Sequence, residues 1–131
     1  MSEVSVNLWA IVMAAAAAVV IGATWYGVFT ESWMKAIGNK KSNLSGASAS
    51  YVASIAAAFI TAYIFAYFIE YKQANTLGEG ALLGFWIWLG FVATYSLMNT
   101  AWEDRSWDLW LINNGNQLLT LVVMGMILAV N

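Results

Sequence analysis

An all-α integral membrane protein is the fold class this sequence predicts: four transmembrane helices as two antiparallel hairpins, with a short interfacial helix after the first span. Three observations predict it. Hydrophobic residues fill 62% of the 131 positions and charged residues only 9%, which leaves too little polar surface to cover a water-soluble core. Mean hydropathy is correspondingly high, at +0.70. Four apolar stretches, at residues 7–29, 51–71, 80–99 and 109–130, each approach or exceed the roughly 20 helical residues needed to cross a bilayer's hydrocarbon. No linker divides them, so residues 1–131 read as a single four-helix domain.

The first span, 7–29, is preceded by a segment whose only charge is Glu3. A cleaved signal peptide has a basic leading region and a shorter apolar core, so this stretch reads as a retained helix. Ala14, Ala18 and Gly22 recur every fourth residue, a row of small side chains that lets another backbone come close. An Ala-rich segment also produces such a row by chance, and the sequence leaves both readings open.

The connection that follows has two parts. TESWMKAIG, residues 30–38, predicts a short amphipathic helix capped by Thr30 and closed by Gly38. Trp33, Met34 and Ile37 would face acyl chains while Glu31 and Lys35 face water, with Lys40 and Lys41 near anionic headgroups. The competing reading is a solvated loop. The second span, 51–71, continues a row of small residues through Ser50, Ser54, Ala58, Ala62 and Ala66, with Glu70 one turn beyond. Lipid-facing positions usually carry large aliphatics, so this row predicts a protein contact. Glu70 reads first as a membrane-edge acid paired with Lys72 or water, and second as a functional carboxylate.

The third span, 80–99, opens with Gly80-xxx-Gly84 and carries Gly84, Trp88, Phe91, Tyr95 and Asn99 at helical spacing. A turn bearing Glu103, Asp104, Arg105 and Asp108 leads into the fourth span, 109–130, which begins with the amide-rich run Asn113, Asn114, Asn116 and Gln117. Tyr95, Asn99, Asn113, Asn116 and Gln117 are therefore the candidate polar pocket. Their plainer reading is interhelical hydrogen bonding, which holds membrane helices together at roughly 0.6–2 kcal/mol each. The planar fork of Arg105 suits binding to Glu103, Asp104 or Asp108 beneath Trp102, Trp107 and Trp110.

Basic residues set the topology. Lys35, Lys40, Lys41 and Arg105 fall in the first and third connections and Lys72 in the second, which places the first and third in the cytoplasm and both termini outside. Trp25, Tyr26, Trp33, Trp102, Trp107 and Trp110 would mark the cytoplasmic interface.

Several function classes fall away on composition. Cys and His are both absent, which removes the commonest metal ligands, nucleophiles and proton shuttles. The net charge of -2 gives no footing for nucleic acid. No cofactor, metal site or enzymatic activity is expected. The partners expected are membrane lipids and a second copy of the chain, a dimer being favoured, or a larger membrane complex. The leading function is a non-enzymatic oligomer-forming or accessory subunit. The alternative is a small-solute permease or channel with a polar cavity near the cytoplasmic end of the third and fourth spans.

Particular residues also carry a resemblance. ATWYGVFTESWMKAIG, GFWIWLGFVAT, NTAWEDRSWDLWLINNG and the closing MGMIL resemble the bacterial membrane family catalogued as domain of unknown function 1761. The resemblance rests on the order and spacing of Trp25-Tyr26, Phe29, Trp33, Gly90-Phe91, Asn99, Arg105, Trp110 and Gly115. It implies four spans in the bacterial inner membrane and no known activity. Where relatives often carry Ser-Pro this chain has Gly27-Val28, and where they often carry an aromatic and a His it has Asn116-Gln117.

Overall fold

The computed structural model describes residues 6–38 and 47–131, and these contain five helices and no strand. They are α1 (Leu8–Val28), α2 (Thr30–Ala36), α3 (Ala47–Lys72), α4 (Leu77–Trp102) and α5 (Trp107–Val130). All but α2 are long and apolar enough to cross a membrane. Lys40 and Lys41 lie outside the described residues.

Side-chain caps fix several boundaries. The Asn7 carboxamide accepts from the backbone N–H groups of Trp9 and Ala10 at 3.0 and 3.3 Å and so starts α1. Its amide nitrogen also donates to the Asn131 carbonyl, 3.1 Å away. Helix α4 starts three residues before the predicted span. Thr76 accepts from Glu79 N–H while the Glu79 carboxylate accepts from Asn75 N–H and the Thr76 hydroxyl, each at 3.1 Å. This has the spacing of a capping box, with the Thr76 hydroxyl satisfying the Glu79 N–H of the first turn and the Glu79 carboxylate reaching back to Asn75, one residue before the cap. The Ser106 hydroxyl caps α5 by accepting from Leu109 N–H at 3.4 Å. Thr30 does not cap α2 as predicted, because its hydroxyl donates back to the carbonyls of Tyr26 and Gly27 in α1. Gly38 follows that helix with φ +78°, a left-handed residue as expected.

Helices α3 and α4 end alike, with Gln73 at φ 59° and Asp104 at φ 53°. The next N–H, of Ala74 or Arg105, then reaches back to the carbonyl of Ile69 or Thr100 at 3.1 Å. That is the Schellman arrangement, which glycine usually supplies.

The last helix is the axis of the bundle: α5 packs against α4, α1 and α3, and α1 packs against α3. Helices α4 and α5 run in opposite directions and approach most closely where both are glycine. A Cβ on Gly80 would run into the Gly125 carbonyl, one on Gly125 into the Gly80 carbonyl, and one on Gly84 into the Leu121 carbonyl. Small residues thus set the separation of these two backbones.

The packed core lies toward one end. Ala10, Ile11, Ala14 and Ala15 of α1 meet Ala58, Ala62, Phe65, Ala66 and Ile69 of α3 around Leu121, Met124 and Leu128 of α5. Met124 is wholly buried. Beyond Ala58 toward its N-terminus, residues 48–57 of α3 are all exposed, and a Cβ on Gly22 of α1 would meet nothing within 4 Å. The predicted small-residue rows are therefore used over only part of their length. Consecutive α3 and α4 share hardly any contact. An apolar groove of about 250 Å³ separates them, lined by Ile60, Ile64, Phe68 and Ile87 over Leu121.

Candidate functional site

Polar side chains converge on the first half of α5, and aromatic residues of α1 and α4 hold it from two sides. On the α1 side, the Trp25 indole lies over Gly115 and donates its N–H to the Ile112 carbonyl at 2.9 Å. The next residue, Tyr26, donates its hydroxyl to the Asn113 side-chain oxygen at 2.6 Å. Trp33 of α2 stands edge-on to Tyr26, with ring centroids 5.9 Å apart, and Phe29 stacks at 4.9 Å on Trp25. Three of the aromatics expected to mark an interface thus fasten α1 and α2 to α5.

On the α4 side, Asn114 is the hub. Its carbonyl accepts from the Trp88 indole N–H at 2.9 Å, and its side-chain amide donates to the Ser96 hydroxyl at 2.7 Å and the Trp110 carbonyl at 2.9 Å. This convergence depends on a break in α4, where Trp88–Ala93 forms a π-helical segment. On a regular helix turning about 100° per residue, Ser96 would stand some 120° away from Gly84. Absorbing one extra residue in a π turn leaves about 20°, so Gly84, Trp88 and Ser96 all face α5.

The same break displaces the face read from the sequence. Tyr95 and Phe91 are 62% and 73% exposed, because a 3.6-residue period carried through the π segment is one residue out of step. Ser96 and Thr100 occupy the inward positions instead, and Thr100 is buried. Of the predicted pocket, Asn113 and Asn116 are brought together on α5 and Asn99 is half-buried on α4, whereas Tyr95 and Gln117 are exposed. Ser96 and the hub role of Asn114 are the functional features the sequence reading missed. Only the π turn would have revealed Ser96.

Four buried polar atoms on or beside this stretch meet no hydrogen-bond partner within the described residues: Trp110 Nε1, Asn114 Oδ1, Asn116 Oδ1 and Thr120 Oγ1. Asn114 is 3% exposed and Asn116 6%. Each such group costs on the order of 1–3 kcal/mol if left unpaired. The set is neutral, with an indole donor, two amide acceptors and a hydroxyl, so it can bind uncharged hydrogen-bonding groups.

The charged residues lie apart from it. Arg105 Nε contacts Glu103 Oε2 at 2.8 Å, the one ion pair among the described residues, and both side chains are about half-exposed. Asp104 and Asp108 are exposed, as is Glu70 on α3. Trp102 and Trp107 point outward, Trp102 being 86% exposed, while Trp110 is half-buried. An exposed pair of this kind contributes only about 0–1 kcal/mol.

A family model described as a protein of unknown function, DUF1761, matches residues 9–129. No curated protein and no solved structure matches the chain.

Proposed function

The chain belongs to the family described as protein of unknown function DUF1761, and from that premise we propose a four-span membrane protein that works by assembly and not by chemistry of its own. It sits in the bacterial inner membrane as two antiparallel hairpins, with α2 in the interface. Lys35, Lys40, Lys41 and Arg105 keep the first and third connections cytoplasmic, and both termini lie outside.

One observation carries the assembly reading. The small-residue face of α3 is half used: Ala58, Ala62 and Ala66 are buried against the rest of the chain, whereas Ser50 and Ser54, on the same face, are exposed. Gly22 of α1 is open beside nothing. Small residues give poor contact with lipid and good contact with another helix backbone, so the free half suits a second copy meeting it face to face. A two-fold pair is the commonest closed form of such a self-complementary contact. Ser54→Leu is expected to convert a dimer to a monomer of 14.3 kDa by native mass measurement in mild detergent. A wild-type chain that is monomeric at every concentration overturns the reading, as does a different protein present in fixed stoichiometry.

The buried acceptors Asn116 Oδ1 and Thr120 Oγ1 favour a second reading, passage of a small solute along the polar face of α5 that begins at Asn113 and Asn116. Wetting of that face would satisfy both atoms. Reconstituted protein should then flux a small neutral solute, with flux lost in Asn116→Leu and Asn99→Leu. Vesicles no leakier than empty ones would remove this reading and leave assembly in place.

A further inference from the structure

We infer that the seam between α4 and α5 binds a neutral hydroxyl-bearing molecule, held between Trp110 Nε1 and Asn114 Oδ1 opposite the π segment of α4. The inference stands apart from the assembly reading. It also concerns the opposite side of α5 from Asn116, since residues two apart on a helix do not face each other.

The argument starts from what the two atoms can do. An indole N–H only donates and an amide oxygen only accepts, so a group that completes both must itself accept and donate. Trp110 and Asn114 are one helical turn apart, which places their Cβ atoms about 5–6 Å from each other. A hydroxyl is the smallest group that can accept from the indole and donate to the amide oxygen. Asn114 cannot turn its oxygen elsewhere, because its amide nitrogen is committed to the Ser96 hydroxyl and the Trp110 carbonyl. Its orientation is fixed before anything binds.

The surroundings suit an uncharged hydroxyl group over an ion, since the groups bonded to Asn114 are all neutral. The Trp88 indole is held beside Asn114 by its bond to the Asn114 carbonyl. The arrangement depends on a π segment, a feature frequently found at functional sites. Trp110 and Asn114 fall in the first two turns of α5, which starts at Trp107. That is the end of α5 nearer a bilayer surface, so a free polyol and a hydroxyl-bearing lipid headgroup are two sources of one chemistry.

The test reads the indole N–H resonance of Trp110 in nanodiscs, assigned by its loss in Trp110→Phe. In phosphatidylcholine discs, added glycerol should shift that resonance saturably and leave the other indoles in place. The shift should vanish in Asn114→Leu and persist in Asn116→Leu. If glycerol is inert but discs containing phosphatidylglycerol give the shift, the bound hydroxyl belongs to the lipid headgroup. Asn114→Leu also cuts the bond to Ser96, so Trp110→Phe supplies a second route. Followed through the Asn114 side-chain amide, it should bind roughly tenfold more weakly, the effect of leaving one buried group unpaired. A Trp110 resonance that responds to neither glycerol nor phosphatidylglycerol and exchanges magnetisation only with water overturns the inference.

Discussion

The Trp25 indole occupies the space a side chain at position 115 would need. A Cβ built on Gly115 would lie 2.8 Å from Trp25 Cζ2 and 3.1 Å from Cη2. The same ring donates to the Ile112 carbonyl, so it cannot retreat without losing that bond. Gly115→Ala should destabilise the protein by about 1–3 kcal/mol, the usual effect of overfilling a packed site. Combining it with Trp25→Phe should recover little, because the smaller ring gives room but no donor. Unfolding titrations in mixed micelles measure both, and a Gly115→Ala chain as stable as wild type would mean that the ring moves freely.

Tyr26 and Asn113 make the shortest side-chain contact between α1 and α5, at 2.6 Å. A double-mutant cycle of Tyr26→Phe and Asn113→Leu should give a coupling of roughly 0.6 kcal/mol, the average found for hydrogen bonds between membrane helices, and at most about 1.7 kcal/mol. Additive single effects would show that the hydroxyl and the amide are satisfied separately once the protein is in lipid.

Glycines in α1 and α4 should respond in opposite ways to the same methyl group. Gly80→Ala pushes a carbon into the Gly125 carbonyl and must part α4 from α5, whereas Gly22→Ala enters open space. The expected melting temperature falls sharply for the first and holds or rises for the second, since alanine is favoured over glycine inside a helix by about 0.8–1.0 kcal/mol. Equal melting temperatures would contradict the close α4–α5 approach.

Two helix ends invite glycine. Gln73 and Asp104 hold left-handed backbone at φ 59° and 53°, which costs a residue with a Cβ roughly 1–2 kcal/mol. Gln73→Gly and Asp104→Gly should each raise the unfolding midpoint, an effect partly offset by the greater freedom of glycine in the unfolded chain. For Asp104 the sign also tests the charged turn. If its carboxylate does structural work beside Arg105, the substitution lowers stability instead.

Hydrophobic runs made the four long helices legible in the sequence, because length and polarity decide whether a segment can cross a bilayer and both can be read residue by residue. Boundaries were less legible. Thr76 and Glu79 have the spacing of a capping box, yet a predicted span beginning at Gly80 leaves them in the loop, where hydropathy alone puts polar residues. Inward faces were legible wherever the helix is regular, as with Ala58, Ala62 and Ala66. They failed after Trp88, because nothing in the letters WLGFVA announces a widened turn. The role of Asn114 was hidden for the same reason, since its partner Ser96 stands in register only once that turn is counted.

The π segment also makes α4 tolerant of change in its middle, in length as well as in residue identity. Phe91 is largely exposed, and replacing it with another large apolar residue should change little. Deleting it is a different operation, because one residue fewer would let the segment relax to regular helix, in which Ser96 again stands only about 20° from Gly84 about the helix axis. Ser96 would keep its place beside Asn114 and Tyr95 would stay outside, so a deletion in residues 88–93 acts as a shortening and not a rotation. Such a chain should keep most of its thermal stability in detergent, as should Phe91→Leu, and a collapse of stability on deletion would mean that the widened turn itself holds contacts.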